Sequence, residues 1–109
     1  MSYDLYIGDE SFNYTSNLAS LFYDHIPAQR DRGGLHELRG LTGRQAANLL
    51  ADAFERIHAT HFRSGSTRAF RSKYDAENGW GSTDGALLFL ARFMGACHAN
   101  PRKRVGLWA

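Results

Sequence analysis

The sequence predicts one α+β domain, in which three helices pack on a small sheet made by N- and C-terminal strands, in the order β-α-α-α-β. Three observations predict this class: one alternating apolar stretch near the start, three stretches with helical apolar spacing, and a short apolar stretch near the end. With 109 residues, the chain has room for a single domain over 1–109. Hydrophobic residues make up 43% and charged residues 22%, so a disordered chain is not expected.

The predicted strands lie at the two ends of the chain. Residues Tyr3–Gly8 alternate, with Tyr3, Leu5 and Ile7 on one side, which is typical of a half-buried strand. Residues 8–11 then break the pattern. Arg104–Trp108 is predicted to be a closing strand that pairs with the first one.

Each predicted helix begins at a capping residue. Thr15 or Ser16 can cap the opening helix, which runs through Ile26. The middle helix begins at a capping box, since Gln45 follows Thr42 by three positions. The side chains that recur at helical spacing behind this box are Ala46, Leu49, Leu50, Ala53, Phe54, Ile57 and His61.

The last predicted helix runs from a cap at Ser82 to about His98, and Asn100-Pro101 stops it. Between residues 86 and 97 only Arg92 is charged, so the helix is apolar almost all round. Such a helix is expected at the centre of the core or between subunits, and we therefore predict a homo-oligomer. The segment between the middle and last helices, Arg68–Glu77, is predicted to be irregular.

Charge is distributed unevenly along the chain. The first 25 residues carry four acids and no Lys or Arg, whereas residues 56–74 carry five cations and no acid. Eleven of the thirteen cations are arginines, whose planar guanidinium suits phosphate. The pattern predicts either an anionic ligand or an acidic face that docks on a basic one, within or between protomers.

Several function classes are not expected. No stretch approaches the roughly 20 apolar residues that cross a bilayer, and the polar N-terminal stretch is not a signal peptide, so we predict a cytoplasmic protein without a membrane partner. The single cysteine, Cys97, excludes an internal disulfide framework. Sequence-specific DNA binding is not expected, because no helix-turn-helix, zinc-finger or RNP signature occurs.

The residue patterns offer no convincing catalytic centre. Glu55, His58 and His61 are spaced by three and resemble half of a metal site, but no Cys-x-x-Cys or His-Glu-x-x-His accompanies them. A metal-dependent enzyme built on these histidines is therefore a third and weakest hypothesis. Cys97 lies on the apolar last helix, where a thiol is normally inert. We predict a binding protein rather than an enzyme, with no catalytic residues, no metal and no cofactor.

Residues 78–84 (NGWGSTD) carry the strongest binding signal. The indole of Trp80 can stack on a base, and two glycines let a ligand approach the backbone. The first-turn amides of the last helix form a natural anion site beside the Ser82 and Thr83 hydroxyls. The alternative is purely structural: a Gly-rich turn, a packed Trp and ordinary helix capping. The residues predicted to bind the ligand are Arg68, Arg71, Lys73, Asn78, Trp80, Ser82 and Thr83.

The chain as a whole resembles a set of small phage-encoded proteins. The resemblance is carried by Tyr14-Thr15-Ser16-Asn17-Leu18, by Asn78-Gly79-Trp80-Gly81 before an apolar helix, and by Cys97-His98-Ala99-Asn100-Pro101. That set overlaps the phage sponge proteins that sequester nucleotide signals of the CBASS and Thoeris defence systems. The resemblance implies an oligomer in the host cytoplasm with pockets between subunits. It also implies that cyclic dinucleotides or cyclic ADP-ribose-like molecules are bound without turnover. The rival hypothesis is a phage host-takeover protein that binds a bacterial protein through an exposed apolar or acidic patch.

Overall fold

Residues 2–63 and 67–109 are described by a computed structural model, with the side chains of residues 60–67 outside the description. The described residues form a mixed helix and sheet structure with four α-helices and one three-stranded antiparallel sheet. The elements are β1 Ser2–Ile7, β2 Glu10–Thr15, α1 Ala19–His25, α2 Gly43–Arg63, α3 Thr67–Tyr74, α4 Thr83–Ala99 and β3 Gly106–Trp108. Two 3₁₀ helices, Ser16–Leu18 and Gly34–Leu38, precede α1 and α2. None of the helices, over the residues described, is long and apolar enough to cross a bilayer.

The sheet has the order β2-β1-β3, with β1 in the middle. The alternation predicted for β1 is confirmed, since Tyr3, Leu5 and Ile7 are buried and Tyr6 is exposed. The predicted closing strand is also confirmed, in the shorter form of β3, which pairs antiparallel with β1 through Leu5 and Leu107. One face of the sheet therefore covers the core, and the other faces solvent.

The second strand is a correction to the predicted order. Residues 8–11 do not simply end β1. Gly8 and Asp9 form a two-residue hairpin turn, and β2 pairs with β1 from Ile7–Glu10 onwards. Gly8 has φ of 58°, which glycine adopts without steric cost. The alternation of Phe12 with polar neighbours was the available signal for a strand here.

The helix predicted from Thr15 or Ser16 to Ile26 is divided in the structure. Thr15 does act as a cap, since its hydroxyl accepts a hydrogen bond from the Asn17 amide at 3.2 Å. A 3₁₀ turn follows, and α1 occupies only Ala19–His25. Four apolar side chains of this segment lie in the core: Leu18, Leu21, Phe22 and Ile26.

The capping box of α2 is confirmed. The backbone amide of Gln45 donates to the Thr42 hydroxyl at 3.2 Å, and the Thr42 amide donates to the Gln45 side chain at 3.0 Å. The first turn of α2 packs directly on the last turn of α4, so a Cβ at Gly43 would lie 2.1 Å from the carbonyl oxygen of Asn100. The glycine is thus required by close packing between helices.

The helix α3 is a second correction, because residues 68–77 were predicted to be irregular. Phe70 and Tyr74 are four residues apart and lie on the same side of α3, with ring centroids 5.1 Å apart. Both rings also contact His25 of α1. Two aromatics at helical spacing were too few to outweigh the surrounding Arg and Ser, and contact with the core decides the helix.

The apolar helix α4 lies at the centre of the core. It packs on the sheet and on α2, and it buries Ala86, Leu90 and Phe93 almost completely. The first of the two expected locations for this helix is therefore observed. Leu88 remains 51% exposed on the opposite side. Self-association stays a prediction.

The segment between α1 and α2 begins with a polar loop, and a buried carboxylate holds that loop in place. Glu37 is 2% exposed, and its two side-chain oxygens accept hydrogen bonds from four backbone amides of residues 29–33. The amide of Gly34 closes the loop by donating to the carbonyl of Ile26 at 2.8 Å. These bonds give the loop one defined shape in spite of its polar sequence.

Candidate functional site

The turn before α4 holds its backbone rigidly and leaves its indole in solvent. Trp80 is 72% exposed, yet its amide donates to the Asn78 side chain at 3.0 Å. The side-chain amide of Asn17 donates to the Trp80 carbonyl at 2.9 Å. The next residue, Gly81, has φ of 115°, and a Cβ there would lie 2.6 Å from Leu18 Cδ1. The indole is therefore presented by a fixed turn without being packed into the core.

A hollow of about 390 Å³ lies beside this indole. Its walls are Trp80 and four small polar residues from the start of β1, the end of β2 and the following 3₁₀ turn: Ser2, Asn13, Thr15 and Asn17. Ser2 and Thr15 are paired across the two strands, so the hollow lies at that end of the sheet. An aromatic surface beside neutral amide and hydroxyl groups can stack on a planar ring and hydrogen-bond to its edge.

Ser82 and Thr83 use their polar groups to begin α4. The Ser82 hydroxyl accepts from the Gly85 amide at 3.0 Å. The amide and hydroxyl of Thr83 both donate to one oxygen of Asp75, at 2.6 and 2.8 Å, and these bonds lower the pKa of that carboxyl. Tyr14 also bonds to the Ser82 backbone. This part of the turn matches the structural alternative weighed above, that of plain helix capping.

The predicted cations lie on α3 and do not line the hollow beside Trp80. Arg71 pairs with Asp84 at 3.3 Å, and Lys73 pairs with Asp24 at 3.5 Å. Arg68 is exposed. Of the residues predicted to bind the ligand, the structure therefore brings Asn78 and Trp80 together in one turn and leaves the three cations on a separate helix, where acids hold two of them.

A second hollow, of about 360 Å³, lies at the same end of the sheet and was not predicted. It shares Ser2 with the first hollow, and its charge comes from Arg32 and Arg39, beside which the His36 ring also lines it. The remaining lining residues are Tyr3, Ser16 and Ala109. Two guanidinium groups thus face one cavity. Sequence reasoning missed it because residues 28–39 have no helical or strand period, and the only signal was three arginines within ten residues.

His36 is 7% exposed, and its Nδ1 has no hydrogen-bond partner among the described residues. Burial lowers its pKa, the positive charges of Arg32 and Arg39 lower it further, and the carboxylates of Asp31 and Glu37 oppose them in part. The imidazole is therefore neutral near pH 7. A neutral imidazole still supplies one N–H donor and one acceptor.

The residues considered for catalysis do not form a centre in the described part of the chain. No group of three His, Cys, Asp or Glu residues there could hold a metal ion. Glu55 and His58 line another hollow, of about 670 Å³, whose described walls belong to α2, while the His61 side chain lies outside the described residues. Cys97 is fully buried, and burial raises the pKa of its thiol to about 11.

No protein-family model, no curated protein and no solved structure matches this chain.

Proposed function

We propose that this protein is a phage counter-defence protein that binds a cyclic nucleotide or a cyclic ADP-ribose-like immune signal and sequesters it without turnover. The observation that carries the proposal is the indole of Trp80, which a hydrogen-bonded turn holds in solvent at the wall of a polar hollow. Exposing a large aromatic side chain forgoes the stabilisation of about 1.5–3 kcal/mol that burial of such a side chain brings. Binding of a planar ring would recover that stabilisation.

The chemistry of the hollow suits a nucleobase better than an aliphatic ligand. Stacking of a base on an aromatic side chain contributes about 1–3 kcal/mol. Asn13 and Asn17 each carry an amide oxygen besides the nitrogen that already donates within the protein. These oxygens are suited to accept from the exocyclic amine of a base, which would add direction to the stacking.

The proposal of a binding protein without turnover is supported by the nature of the hollow. Its lining residues are neutral and polar, apart from the indole, and among them no acidic or basic side chain is present to activate the Ser2 or Thr15 hydroxyl as a nucleophile. A ligand held there would be retained rather than transformed. Homo-oligomers, with pockets between subunits, remain part of the proposal.

A thermal-shift screen against cyclic dinucleotides and cyclic ADP-ribose isomers tests the proposal. A ligand at 100 times its Kd stabilises the fold by about 2.7 kcal/mol, which is readily seen in Tm. Trp80→Ala should weaken binding roughly 10- to 100-fold, the value of one lost stacking contact. Because the side chain is exposed, the same change should alter stability by no more than about 0.5 kcal/mol.

Trp108 provides a matched control. It is also 72% exposed, but it lies on β3 and does not line the hollow. Trp108→Ala should bind the ligand as the wild type does. Mass spectrometry of the ligand released by denaturation should show it chemically unchanged. Equal affinity in the wild type and Trp80→Ala, or release of a hydrolysed ligand, would refute the proposal.

A second candidate function is binding to a host protein, and the outer face of the sheet favours it. Tyr6 and Trp108 are both exposed and lie on the same face, because Tyr6 pairs with Gly106 and Asp4 with Trp108. Exposed aromatic residues are frequent at protein interfaces. In cells carrying a nucleotide-signalled defence system, Trp80→Ala should abolish protection of the phage if the sponge function is right. If binding to a host protein is the function, Trp108→Ala should do so instead.

A further inference from the structure

The cavity walled by Arg32, His36 and Arg39 holds two guanidinium groups, whose charge the nearby carboxylates of Asp31 and Glu37 offset only in part. Among the described residues, Arg32 forms its ion pair with its neighbour Asp31, at 3.4 Å, and this contact is weak because the two side chains are 65% and 36% exposed. Arg39 donates from one terminal nitrogen to the carbonyl of Leu107 at 3.1 Å. A guanidinium has five N–H donors, so each arginine retains donors beyond these bonds.

The buried histidine is the second, independent feature of this cavity. His36 is more than nine-tenths buried, and its Nδ1 lacks a partner in the part of the chain that the structure describes. A buried polar atom without a partner costs free energy, and in a native protein it commonly marks a functional site or the place of a bound molecule. In the tautomer of the neutral ring that carries its proton on Nδ1, this nitrogen needs an acceptor, and beside two arginines an oxyanion would accept from the ring and from the guanidinium groups together.

The cavity is also built before any ligand arrives. The loop that carries Arg32 is held by four backbone bonds to the buried carboxylate of Glu37. Arg30 ties the same loop to the following turn, since its guanidinium donates to the carbonyl oxygens of Glu37 and Arg39. A site fixed in this way loses little conformational entropy when it binds.

The two hollows adjoin. Ser2 lines both of them. Thr15 and Asn17 line the Trp80 hollow, whereas Ser16, which lies between them in the chain, lines the arginine cavity. One hollow lies beside β2 and the other beside the 3₁₀ segment that contacts β3.

We propose that the cavity of Arg32, His36 and Arg39 is an oxyanion site that takes the phosphate of the nucleotide whose ring stacks on Trp80. The pairing with Trp80 rests on the proposed function, whereas the oxyanion site rests on its own residues. The phosphate is thereby assigned to the arginines between α1 and α2 and not to those of α3. The ligand class becomes a phosphorylated nucleoside that bridges the two hollows.

Titration of the protein with inorganic phosphate or pyrophosphate, followed by NMR at constant ionic strength, tests the oxyanion site directly. The ring protons of His36 should shift saturably. Arg32→Gln and Arg39→Gln should each raise the Kd about tenfold or more, because each removes one charge-assisted contact. Arg32 is mostly exposed, so the Arg32→Gln variant should fold. It therefore tests the site even if Arg39→Gln, which loses the hydrogen bond to Leu107, disturbs β3.

Arg92→Gln is the matched control, since it removes one exposed charge from α4, away from the cavity. It should leave phosphate binding unchanged. If Arg92→Gln weakens phosphate binding as much as the two cavity variants do, the binding is unspecific charge attraction and the proposed site is overturned. Absence of any saturable shift at His36 would overturn it as well. Trp80→Ala should retain phosphate binding.

The nucleotides found by thermal shift separate the two proposals. If they lose affinity in both Trp80→Ala and Arg39→Gln, one ligand spans both hollows, as proposed. If Trp80→Ala weakens binding of these nucleotides while Arg32→Gln and Arg39→Gln do not, the proposed function stands and the phosphate assignment is wrong. If phosphate binds at His36 but no nucleotide depends on Trp80, the oxyanion site stands and the nucleotide function fails.

Discussion

Replacing Glu37 with glutamine should destabilise the protein more than any other isosteric replacement of a side chain whose hydrogen bonds are described above. The carboxylate is buried, and each of its oxygens accepts two backbone N–H bonds. One oxygen takes Gln29 and Arg30 at 3.0 and 2.7 Å, and the other takes Asp31 and Gly33 at 2.7 and 3.1 Å. Glutamine has the same shape, but an NH₂ group replaces one oxygen and cannot accept.

The size of the effect follows from the two amides that lose their acceptor. A buried donor left unsatisfied costs about 1–3 kcal/mol, and the two remaining bonds weaken because they are no longer charge-assisted. Water can reach part of this loop, so we expect a loss of about 2–4 kcal/mol in the free energy of unfolding. That is a large part of the roughly 5–15 kcal/mol by which domains are stable.

The pH dependence has a definite sign. Burial by itself raises the pKa of Glu37, but the four backbone bonds lower it more, so the folded-state pKa lies below the ordinary value of 4.5. The stabilisation is therefore complete above about pH 4.5 and is lost as the pH falls through the lower, folded-state pKa. The stability gap between the wild type and Glu37→Gln should be constant near neutral pH and should narrow in acid.

Urea denaturation at several pH values measures this gap, and amide hydrogen exchange should show loss of protection at residues 29–33. Glu77→Gln is the control, because Glu77 is an exposed carboxylate in the turn after α3. It should change the free energy of unfolding by less than about 0.5 kcal/mol. A Glu37→Gln protein as stable as this control, or a gap that does not respond to acid, would refute the reasoning.

Three further changes test packing, capping and thiol chemistry. Gly43→Ala should lower the Tm strongly or prevent folding, because its Cβ would lie 2.1 Å from the carbonyl oxygen of Asn100, just after α4, and a wild-type Tm would contradict this packing. Asp75→Ala should cost about 1–3 kcal/mol in urea denaturation by leaving the buried Thr83 without its acceptor, whereas the exposed Asp9→Ala should not. Cys97 should not react with a thiol reagent in the native protein at pH 8, since its pKa is about 11 and it is buried, and it should react once urea unfolds the chain.

The candidate site was predicted in part. The turn that carries Trp80 follows from local sequence, because Asn and Gly favour a turn that cannot continue a helix. The sequence left open whether the ring is packed or exposed, and its 72% exposure comes from the structure. The groups that complete the hollow, Asn13 and Asn17, are more than sixty positions away in the chain, and only the hairpin places them there. The cations that would bind the ligand were also hard to predict from sequence. Charge density along the chain indicated those of α3, but the structure pairs two of them with acids that are distant in the chain.

Local sequence determined the features that depend on local physics: the alternation of β1, the capping box of α2, the Ser82 cap of α4 and the apolar character that draws α4 into the core. Each arises from side-chain periodicity or from a hydrogen bond between residues a few positions apart. Tertiary structure alone decided the helical state of α3, the shape of the Glu37 loop and the cavity of Arg32, His36 and Arg39. These depend on burial and on partners distant in the chain, and a loop without periodicity carries no local signal of either.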